Sequence, residues 1–315
     1  MKKTILFFCA AWSWALLSCF CVAEEFSSNE LYKDRMKDFI RELRANTTQE
    51  RILITQNGNE LYFKNGVVDT DFFAVTNATT QESLYYGDVL KFNAPTDKKL
   101  QNELLAYIRP IKESGKPIFV INYGKGRKQR NFLVSEDVKT GYVSELLPTF
   151  EASELYEPLQ QYTADDITAL SDVKNFLCLL NPEKFSDIHD YYAQLKNTDY
   201  DLLIIEPSYD GVFFTKEQIH ALKKKNNGGT RIVIAYMSIG EAEDYRYYWQ
   251  NTWHKKKPVW IEKENKDWNG NYIVRYWVPE WKEIVKTYQK KLDDLDVDGY
   301  LLDTVDSHSY FDDNY

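Results

Sequence analysis

RIVIAYMSIGEAE, residues 231–243, joins an apolar run to a polar turn that carries two glutamates. The part from Arg231 to Met237 has the composition of a strand buried on both faces, as in a parallel sheet. Glu241 and Glu243 then follow directly beyond the point where that strand ends. A buried strand that runs into carboxylates is typical of an α/β fold whose functional side chains follow its strands.

Strand patterns and helix patterns alternate along the rest of the chain, and this alternation predicts the fold class. Seven further strands are predicted at Arg51–Thr55, Asp71–Val75, Pro117–Tyr123, Tyr142–Leu146, Lys174–Leu180, Asp201–Glu206 and Gly299–Asp303. Helices are predicted at Leu31–Leu43, Leu100–Ile111, Ser186–Lys196, Lys216–Lys225 and Pro279–Leu295, and residues 151–171 are predicted as a surface helix and connector. Eight strands with helical crossovers predict a (β/α)8 TIM barrel, although a doubly wound sheet would give much the same pattern.

The first 23 residues have the pattern of an export signal. Lys2 and Lys3 precede an apolar stretch over Ile5–Leu17, and Cys21-Val22-Ala23 is an acceptable small-residue cleavage site. A lipobox is the second interpretation, in which a lipidated Cys19 would attach the chain to a membrane. We therefore expect residues 24–315 to form one barrel that is secreted or located in the periplasm or cell envelope.

Charge and cysteine content exclude several classes of protein. Three of the four cysteines lie in the signal, which leaves Cys178 alone and excludes a disulfide framework. The net charge is −9 and the basic residues are scattered, so nucleic acid is not an expected partner. The histidines show no metal-ligand spacing. A divalent cation held by Asp303, Asp306 and His308 is an alternative, but a carboxylate pair explains these residues more simply, and no cofactor is expected.

Polar side chains follow six of the predicted strands. They are Asn57, Glu82, Tyr123, Glu206, the pair Glu241 and Glu243, and the pair Asp303 and Asp306. In a (β/α)8 barrel the carboxyl ends of the strands meet at one mouth. Carboxylates at such a mouth suit cleavage of a glycosidic bond, which needs one acid and one base or nucleophile. Each acid taken singly could instead be a helix N-cap or a first-turn residue.

The tryptophans outside the signal all lie between positions 249 and 281. They are Trp249, Trp253, Trp260, Trp268, Trp277 and Trp281. Aromatic faces pack against the apolar faces of sugar rings, but they also pack helices against a barrel. Core packing is the better explanation for any single tryptophan, and we expect two or three of the six to line a groove.

Three motifs carry a resemblance to a known family. They are Ile234–Arg246 with Trp249, Trp268–Trp277 followed by Pro279-Glu280-Trp281, and Gly299–Asp306. Together they resemble the endo-α-1,4-polygalactosaminidase-like barrels of glycoside-hydrolase family 114 and its bacterial relatives. The resemblance implies a (β/α)8 fold and action on a galactosamine-rich polysaccharide.

The order of these motifs predicts a circular permutation. In the family they belong to the first half of the barrel, whereas here they lie in the second half of the chain. Ile54–Leu61, Gln81–Tyr86 and Phe119–Tyr123 resemble the family's fifth, sixth and seventh strand segments. Family strands five to eight would therefore come first, and residues 151–171 would link the old ends. A rearranged fragment of a tandem gene is the rival explanation.

The resemblance also implies roles for individual residues. Asp303 and Glu82 match the family's catalytic Asp and Glu, so Glu82 is expected to be the general acid and Asp303 the nucleophile or base. Relatives often carry Asp where this chain has Glu206. The residues expected to hold the sugar are Glu241, Glu243, Asp306, Asn57, Tyr123, Tyr236, Arg246, Glu206, Trp268 and Trp277. A catalytically inactive carbohydrate-binding barrel and a structural envelope protein are the alternatives.

Overall fold

The computed structural model describes residues 28–315, so the predicted export signal lies outside the described residues. One sheet holds eight parallel strands: β1 (Ile52–Gln56), β2 (Ala78–Glu82), β3 (Ile118–Tyr123), β4 (Val143–Leu147), β5 (Phe176–Leu179), β6 (Leu202–Ile205), β7 (Ile232–Ser238) and β8 (Gly299–Asp303). Their order is β4-β3-β2-β1-β8-β7-β6-β5. The two end strands of this order, β4 and β5, lie beside each other, so the sheet forms a nearly closed barrel. The predicted α/β barrel is confirmed.

Helices cover the outer face of the barrel. They are α1 (Ser28–Ala45), α2 (Thr70–Phe73), α3 (Lys98–Glu113), α4 (Arg127–Thr140), α5 (Ile188–Lys196), α6 (Lys216–Leu222), α7 (Pro279–Asp294) and α8 (His308–Asn314). Asp97, Asp187 and Thr215 accept hydrogen bonds from first-turn N–H groups of α3, α5 and α6, which fixes where these helices begin. Within residues 28–315 no helix is both long and apolar enough to span a bilayer.

The alternation of side chains along the strands separates two apolar cores. One core fills the barrel and contains Ile54, Phe119, Ile121, Phe176, Leu202, Ile204, Ile234 and Leu301. The other lies between the strands and the helices. Because successive side chains of a strand point to opposite faces, Glu82 lies on the same inward face as Ala78, and Asp303 on the same inward face as Leu301. Both carboxylates therefore face the end of the barrel where the strands finish.

The prediction of a strand over Asp71–Val75 is wrong. Three of those five residues belong to α2, which begins where the Asp69 side chain accepts a hydrogen bond from the Phe72 N–H group. The barrel strand is β2, whose sequence Ala-Thr-Thr-Gln-Glu lacks an apolar signal. Its polar side chains are buried because they are hydrogen-bonded: the Thr79 hydroxyl, for example, donates to Asn59 Oδ1 at 2.7 Å.

Strands β4 and β5 are neighbours in the barrel, but their backbones do not pair with each other. Hydrogen bonds from the side chains of Glu145 and Tyr156 hold this junction together instead. Glu145 accepts hydrogen bonds from the N–H groups of Phe176 (3.3 Å) and Leu159 (3.0 Å). The Tyr156 hydroxyl donates to the Phe176 carbonyl at 3.0 Å and accepts from the Cys178 N–H group at 2.9 Å. We call this junction the seam. Burial raises the pKa of Glu145 well above its ordinary value.

The segment that crosses the seam has little regular structure. The surface helix predicted within residues 151–171 is wrong, because the segment contains only a short 3-10 turn at Leu170–Asp172. Tyr156 and Leu159 are instead placed by the hydrogen bonds of the seam. The hydrogen bonds of this segment therefore replace part of the backbone pairing that holds neighbouring strands together elsewhere in the barrel.

An insertion between β7 and α7 forms one wall of the mouth. It contains a three-stranded antiparallel sheet built from Glu241–Glu243, Asn271–Val274 and Ile261–Glu264. Tryptophans pack this insertion onto the barrel: Trp253 lies 5.0 Å from Trp260, and Trp260 lies 5.0 Å from Trp281, between ring centroids. The insertion is thus anchored by an aromatic stack on its outer side.

Candidate active site

The strand ends and the loops that follow them enclose a cavity of about 820 Å³. Nine carboxyl side chains line it: Glu82, Glu151, Glu183, Glu206, Asp210, Glu241, Glu243, Asp303 and Asp306. Arg246 is the one cationic side chain among the lining residues. Acidic side chains therefore greatly outnumber basic ones around the cavity, an excess that favours cationic ligands.

Glu82, the last residue of β2, is held at both carboxylate oxygens. Asn57 Nδ2 donates to Glu82 Oε2 at 2.7 Å, and the Asn57 side-chain carbonyl accepts from the Glu82 N–H group at 2.9 Å. The Tyr123 hydroxyl donates to Glu82 Oε1. Burial and the charge of Glu82 raise the pKa of Tyr123 well above its ordinary value, so the phenol keeps the proton it donates.

Asp303, the last residue of β8, is held in a similar way. The Tyr236 hydroxyl donates to Asp303 Oδ2 at 2.8 Å, and the Thr304 N–H group donates to Oδ1 at 2.7 Å. Burial, together with the charge of Glu82, raises the pKa of Asp303 well above its ordinary value. The two carboxyl groups therefore interact electrostatically, and the charged form of one disfavours the charged form of the other.

The spacing of the strands relates Glu82 to Asp303. Strand β1 lies between β2 and β8 in the sheet. Because neighbouring strands are about 4.8 Å apart, the backbones that carry the two residues are about 10 Å apart. Both side chains point inward from strands separated only by β1, so the two carboxyl groups lie near one another at the mouth, close enough for Glu82 to influence the pKa of Asp303.

Arg246 forms a buried ion cluster beside this pair. Its Nε atom donates to Glu243 Oε2 at 2.6 Å, and its guanidinium group also binds Glu206. The hydroxyl of Tyr236 lies 3.4 Å from Glu243 Oε1. The side chains of Arg246, Glu206 and Glu243 are almost completely buried, so this cluster positions Tyr236, and through it Asp303.

Glu241 and Asp306 form a second acidic region of the wall. Glu241 accepts hydrogen bonds from the side-chain amides of Asn265 (2.8 Å) and Asn271 (3.3 Å). Burial raises the pKa of Glu241 to about 7, and burial with the charges of nearby glutamates raises the pKa of Asp306 to about 6. These two groups change charge close to neutral pH.

Strained backbone follows three of the strands that build the mouth. Asn57, Ser83 and Thr304 have φ angles of 55°, 51° and 59°, and each directly follows the end of β1, β2 or β8. This left-handed region is uncommon for residues other than glycine and is costly for β-branched residues such as threonine. A hydrogen bond of 2.8 Å from the Gly240 N–H group to Thr304 Oγ1 helps to offset that cost. Such strain often marks functional sites.

The cavity brings together eleven of the twelve predicted site residues: Asn57, Glu82, Tyr123, Glu206, Tyr236, Glu241, Glu243, Arg246, Trp268, Asp303 and Asp306. Trp268 is 42% exposed and is the one tryptophan of the six that lines the cavity. Trp277 lies elsewhere, with its ring 5.1 Å from Tyr32 and 4.7 Å from Phe311. Its predicted contact with sugar stays a prediction, and its position favours a packing role.

The geometry around His308 differs from that of a cation site. Its two ring nitrogens lie 3.0 Å from Glu60 Oε1 and 3.0 Å from Asp312 Oδ2. Within residues 28–315 no group of three or more His, Cys, Asp or Glu side chains is arranged to hold a metal ion. His308 instead ties α8 to the loop that follows β1.

Several lining residues were missed by the reasoning from sequence. They are Gln56, Phe150, Cys178, Tyr245, Tyr247, Asn265 and Asn271, with others from the loops. Gln56 and Cys178 lie at inward positions of β1 and β5, so the alternation along each strand could have identified them. Phe150 lies in the connection after β4, where no periodic signal exists. Cys178 is a free, buried cysteine whose pKa is raised by burial.

Part of the chain matches known proteins. Residues 183–314 match glycoside-hydrolase family GH114. An uncharacterized protein of Methanocaldococcus jannaschii, MJ1477, is 43% identical over 124 residues, which are 38% of this chain and 35% of that protein. An uncharacterized protein of Thermotoga maritima is 35% identical over 135 residues, which are 40% of this chain and 42% of that protein. An uncharacterized protein of Deinococcus radiodurans is 32% identical over 114 residues, which are 36% of this chain and 35% of that protein.

These matches cover less than half of the length of each relative. The predicted resemblance to family 114 is confirmed over residues 183–314, which contain β6, β7, β8 and Asp303. Glu82 and its partners Asn57 and Tyr123 lie outside the matched residues. Residues 183–314 are therefore similar to a glycoside hydrolase, and Glu82 lies in the part of the barrel that this match does not cover.

Proposed function

We propose that the cavity is the active site of a glycoside hydrolase that cleaves an α-linked, galactosamine-rich polysaccharide. The observation that carries this proposal is the arrangement of Glu82 and Asp303. Both are inward-facing strand-end carboxylates at one mouth, and each is held by a tyrosine hydroxyl and a second hydrogen-bond donor. Such an arrangement orients two carboxyl groups toward one bond of a bound substrate.

The spacing of the strands that carry the pair is compatible with this chemistry. Glycosidases use carboxyl groups about 5–10 Å apart, the shorter distances in retaining and the longer in inverting enzymes. The backbones of β2 and β8 are about 10 Å apart by the spacing of strands, and both side chains extend inward from them. A glycosidic oxygen and an anomeric carbon can therefore lie between the two groups.

The resemblance of Glu82 and Asp303 to the catalytic Glu and Asp of family 114 supports one acid and one base. Because the charge of Glu82 contributes to the raised pKa of Asp303, protonation of Glu82 makes ionisation of Asp303 easier. We assign Glu82 as the general acid, which gives its proton to the leaving oxygen. Asp303 is then the nucleophile or base, with its negative charge stabilised by Tyr236 and the Thr304 N–H group.

The charge of the cavity favours an amino sugar as substrate. Nine carboxyl side chains and one cation, Arg246, line the cavity, and Arg246 is already paired with Glu206 and Glu243. A galactosamine unit with a free amine is cationic and is attracted to such a surface. Phe150 and Trp268 come from loops on nearly opposite sides of the mouth and supply aromatic faces for the sugar rings.

We also propose that the order of the strands results from circular permutation. The resemblance to family 114 would then continue from β8 into β1, which pair side by side. The seam between β4 and β5 is the one neighbouring pair of barrel strands within the described residues that lacks backbone pairing. In this interpretation the seam lies where an unpermuted chain would have its two free ends. In this protein, residues 151–171 link those ends.

The experiment that tests the function is hydrolysis of partially deacetylated α-1,4-galactosaminan by the purified protein. We expect soluble oligosaccharides to be released, and a fully N-acetylated polymer to be cleaved more slowly because it carries no positive charge. The variant Lys290→Ala, which breaks an exposed ion pair of α7, is a control that keeps wild-type activity. Binding of the polymer without release of any oligosaccharide would contradict the proposal and favour an inactive carbohydrate-binding barrel.

A further inference from the structure

We propose that a cleft formed by three tyrosines on the outside of the barrel is a second binding site for amino-sugar units. The cleft has a volume of about 380 Å³, and none of its lining residues lines the large cavity. It lies between the segment that crosses the seam and the loop before β6. The lining residues are Leu155, Tyr156, Glu157 and Tyr162 on one side and Asn197, Thr198, Asp199 and Tyr200 on the other. We call this site the tyrosine cleft.

The tyrosine cleft is separated from the active site by the barrel. Residues 197–200 precede β6, so they lie near the amino ends of the strands. Glu82 and Asp303 lie at the carboxyl ends of β2 and β8. A ligand in the cleft would therefore contact neither carboxylate.

Aromatic rings form a corner in this cleft. Tyr162 and Tyr200 have ring centroids 5.3 Å apart and planes at 88°, and Tyr156 and Tyr200 have centroids 5.9 Å apart and planes at 66°. Tyr162 is 37% exposed, so part of its ring is open to a ligand. Tyrosine rings bind the apolar face of a sugar, and they also attract an ammonium group placed over the ring.

The charged residues of the tyrosine cleft are both acidic. Glu157 and Asp199 are among the lining residues, and no lysine or arginine is. Asp199 is fixed in place because its Oδ1 atom accepts a hydrogen bond of 2.7 Å from the Asn227 N–H group. The combination of aromatic rings with carboxylates selects a cationic ligand over a neutral one.

One buried hydroxyl group of the cleft, that of Tyr200, has the Tyr162 side chain as its partner in a poorly aligned interaction. The Tyr200 side chain is 1% exposed, and its hydroxyl makes no hydrogen bond within the described residues. Buried hydroxyl groups are normally hydrogen-bonded. The Tyr162 hydroxyl interacts with it, but without the geometry of a well-formed hydrogen bond. A small rotation of Tyr162 would open the Tyr200 hydroxyl to a hydroxyl or amine of a sugar.

The wall of the cleft is rigid enough to act as a binding surface. Tyr156 is held because its hydroxyl bonds to the backbone of β5 at Phe176 and Cys178. A polymer held there would raise the effective concentration of its other segments near the mouth. The choice of an amino sugar as ligand rests on the proposed function, whereas the aromatic and acidic chemistry of the cleft does not.

Calorimetric titration with a galactosamine tetrasaccharide tests this inference. The titrated protein is Asp303→Asn, so that the ligand is not consumed. We expect two binding sites per chain. Adding Tyr162→Ala or Asp199→Asn should weaken one of them about tenfold or more and leave the other unchanged. Asp199→Asn keeps an oxygen that can accept from Asn227, so this variant should fold even if Tyr162→Ala does not.

The matched control is Tyr107→Ala, which removes a tyrosine of α3 that is 39% exposed and lies outside both sites. Two sites with the control and one with the cleft variants would support the tyrosine cleft. A single site in every protein, or two sites that the cleft variants leave unchanged, would overturn it. Hydrolysis by the wild type is measured separately: two sites without hydrolysis would overturn the proposed function and leave the cleft standing.

Discussion

The hydroxyl group of Tyr236 donates a hydrogen bond of 2.8 Å to the Oδ2 atom of Asp303. The same hydroxyl lies 3.4 Å from Glu243, which Arg246 binds. The orientation of Asp303 therefore depends on the buried ion cluster as well as on its own strand. Because this hydrogen bond favours the ionised carboxylate, it also lowers the pKa of Asp303 against the effect of burial.

The variant Tyr236→Phe should lower kcat by about 100-fold, because a donor to a catalytic carboxylate is lost. The pKa of Asp303 should rise further without this donor, so the acidic limb of the pH profile of kcat/KM should move to higher pH. The control is Tyr245→Phe, which removes a donor to Glu243 but none to Asp303. If Tyr236→Phe left the acidic limb where it is in the wild type, Tyr236 would not control the protonation of Asp303.

Gly87 lies directly against Tyr123, and a side chain at position 87 should reduce activity. Gly87 has a φ of 100°, and an added Cβ would lie 2.7 Å from the Cβ atom of Tyr123. We expect Gly87→Ala to cost about 1–3 kcal/mol of unfolding free energy and to displace the hydroxyl that holds Glu82. Urea unfolding and initial rates measure the two effects.

The matched control for Gly87→Ala is Gly66→Ala. Gly66 also has a positive φ, of 77°, but an added Cβ there would meet nothing within 4 Å. This variant should cost about 1–2 kcal/mol from backbone strain alone and keep its activity. Equal activity in both variants would argue against a supporting role of Gly87 behind Tyr123.

Glu145 at the seam should make stability depend on pH. Its pKa is raised in the folded state, so above the unfolded pKa the folded state binds more protons than the unfolded state. The free energy of unfolding should therefore fall as the pH rises above the unfolded pKa of about 4.3, by up to about 1.4 kcal/mol per unit from this group. Denaturant unfolding at several pH values should show a shallower slope for Glu145→Gln.

The control for Glu145 is Glu103→Gln, which changes an exposed glutamate of α3. Its pH dependence should match that of the wild type. Parallel curves for the wild type and Glu145→Gln would mean that Glu145 is ionised at the seam at every measured pH.

Loss of the buried cation Lys225 should destabilise the fold far more than loss of an exposed ion pair. The Lys225 Nζ atom donates to Asp201 at 2.6 Å and to the carbonyls of Thr163 and Asp165 at 3.0 Å, and both charged side chains are fully buried. Lys225→Ala leaves the buried carboxylate of Asp201 without a cation, with the Lys174 N–H group as a remaining donor, which should cost about 3–5 kcal/mol. Lys290→Ala, at an exposed pair, should cost less than about 1 kcal/mol in the same urea titration. Equal losses in the two variants would contradict this difference.

The fold was predictable where apolar signals coincide with strands. The prediction over Gly299–Asp303 matches β8 residue for residue, because Tyr300, Leu301 and Leu302 are buried on both faces of the strand. Strand β2 was missed because hydrogen bonds among threonines and amides replace apolar packing there. Such a hydrogen-bond network depends on residues that are distant in sequence, so no local sequence pattern predicts it.

The site was predictable as far as it follows the strand ends. Asp303 ends a predicted strand, and its position on a barrel brings it to the mouth. Glu82 ends the strand that was missed, so its place in the site came from the resemblance to family 114 and not from the strand pattern. Trp277 shows the limit of this reasoning, because its packing against α1 and α8 depends on how helices from opposite ends of the chain meet. The left-handed backbone at Thr304 has no sequence signature, because threonine normally disfavours it.

The rates of Glu82→Gln, Asp303→Asn and the double variant on partially deacetylated α-1,4-galactosaminan test the central claim most directly. If the two carboxylates act as one catalytic unit, each single variant should lower kcat/KM by about 1,000-fold or more, and the double variant should lose little beyond the worse single variant. Circular dichroism and unfolding controls would show that each variant is folded. Single variants that keep more than about a tenth of wild-type activity, or losses that multiply fully in the double variant, would contradict a shared catalytic role for Glu82 and Asp303.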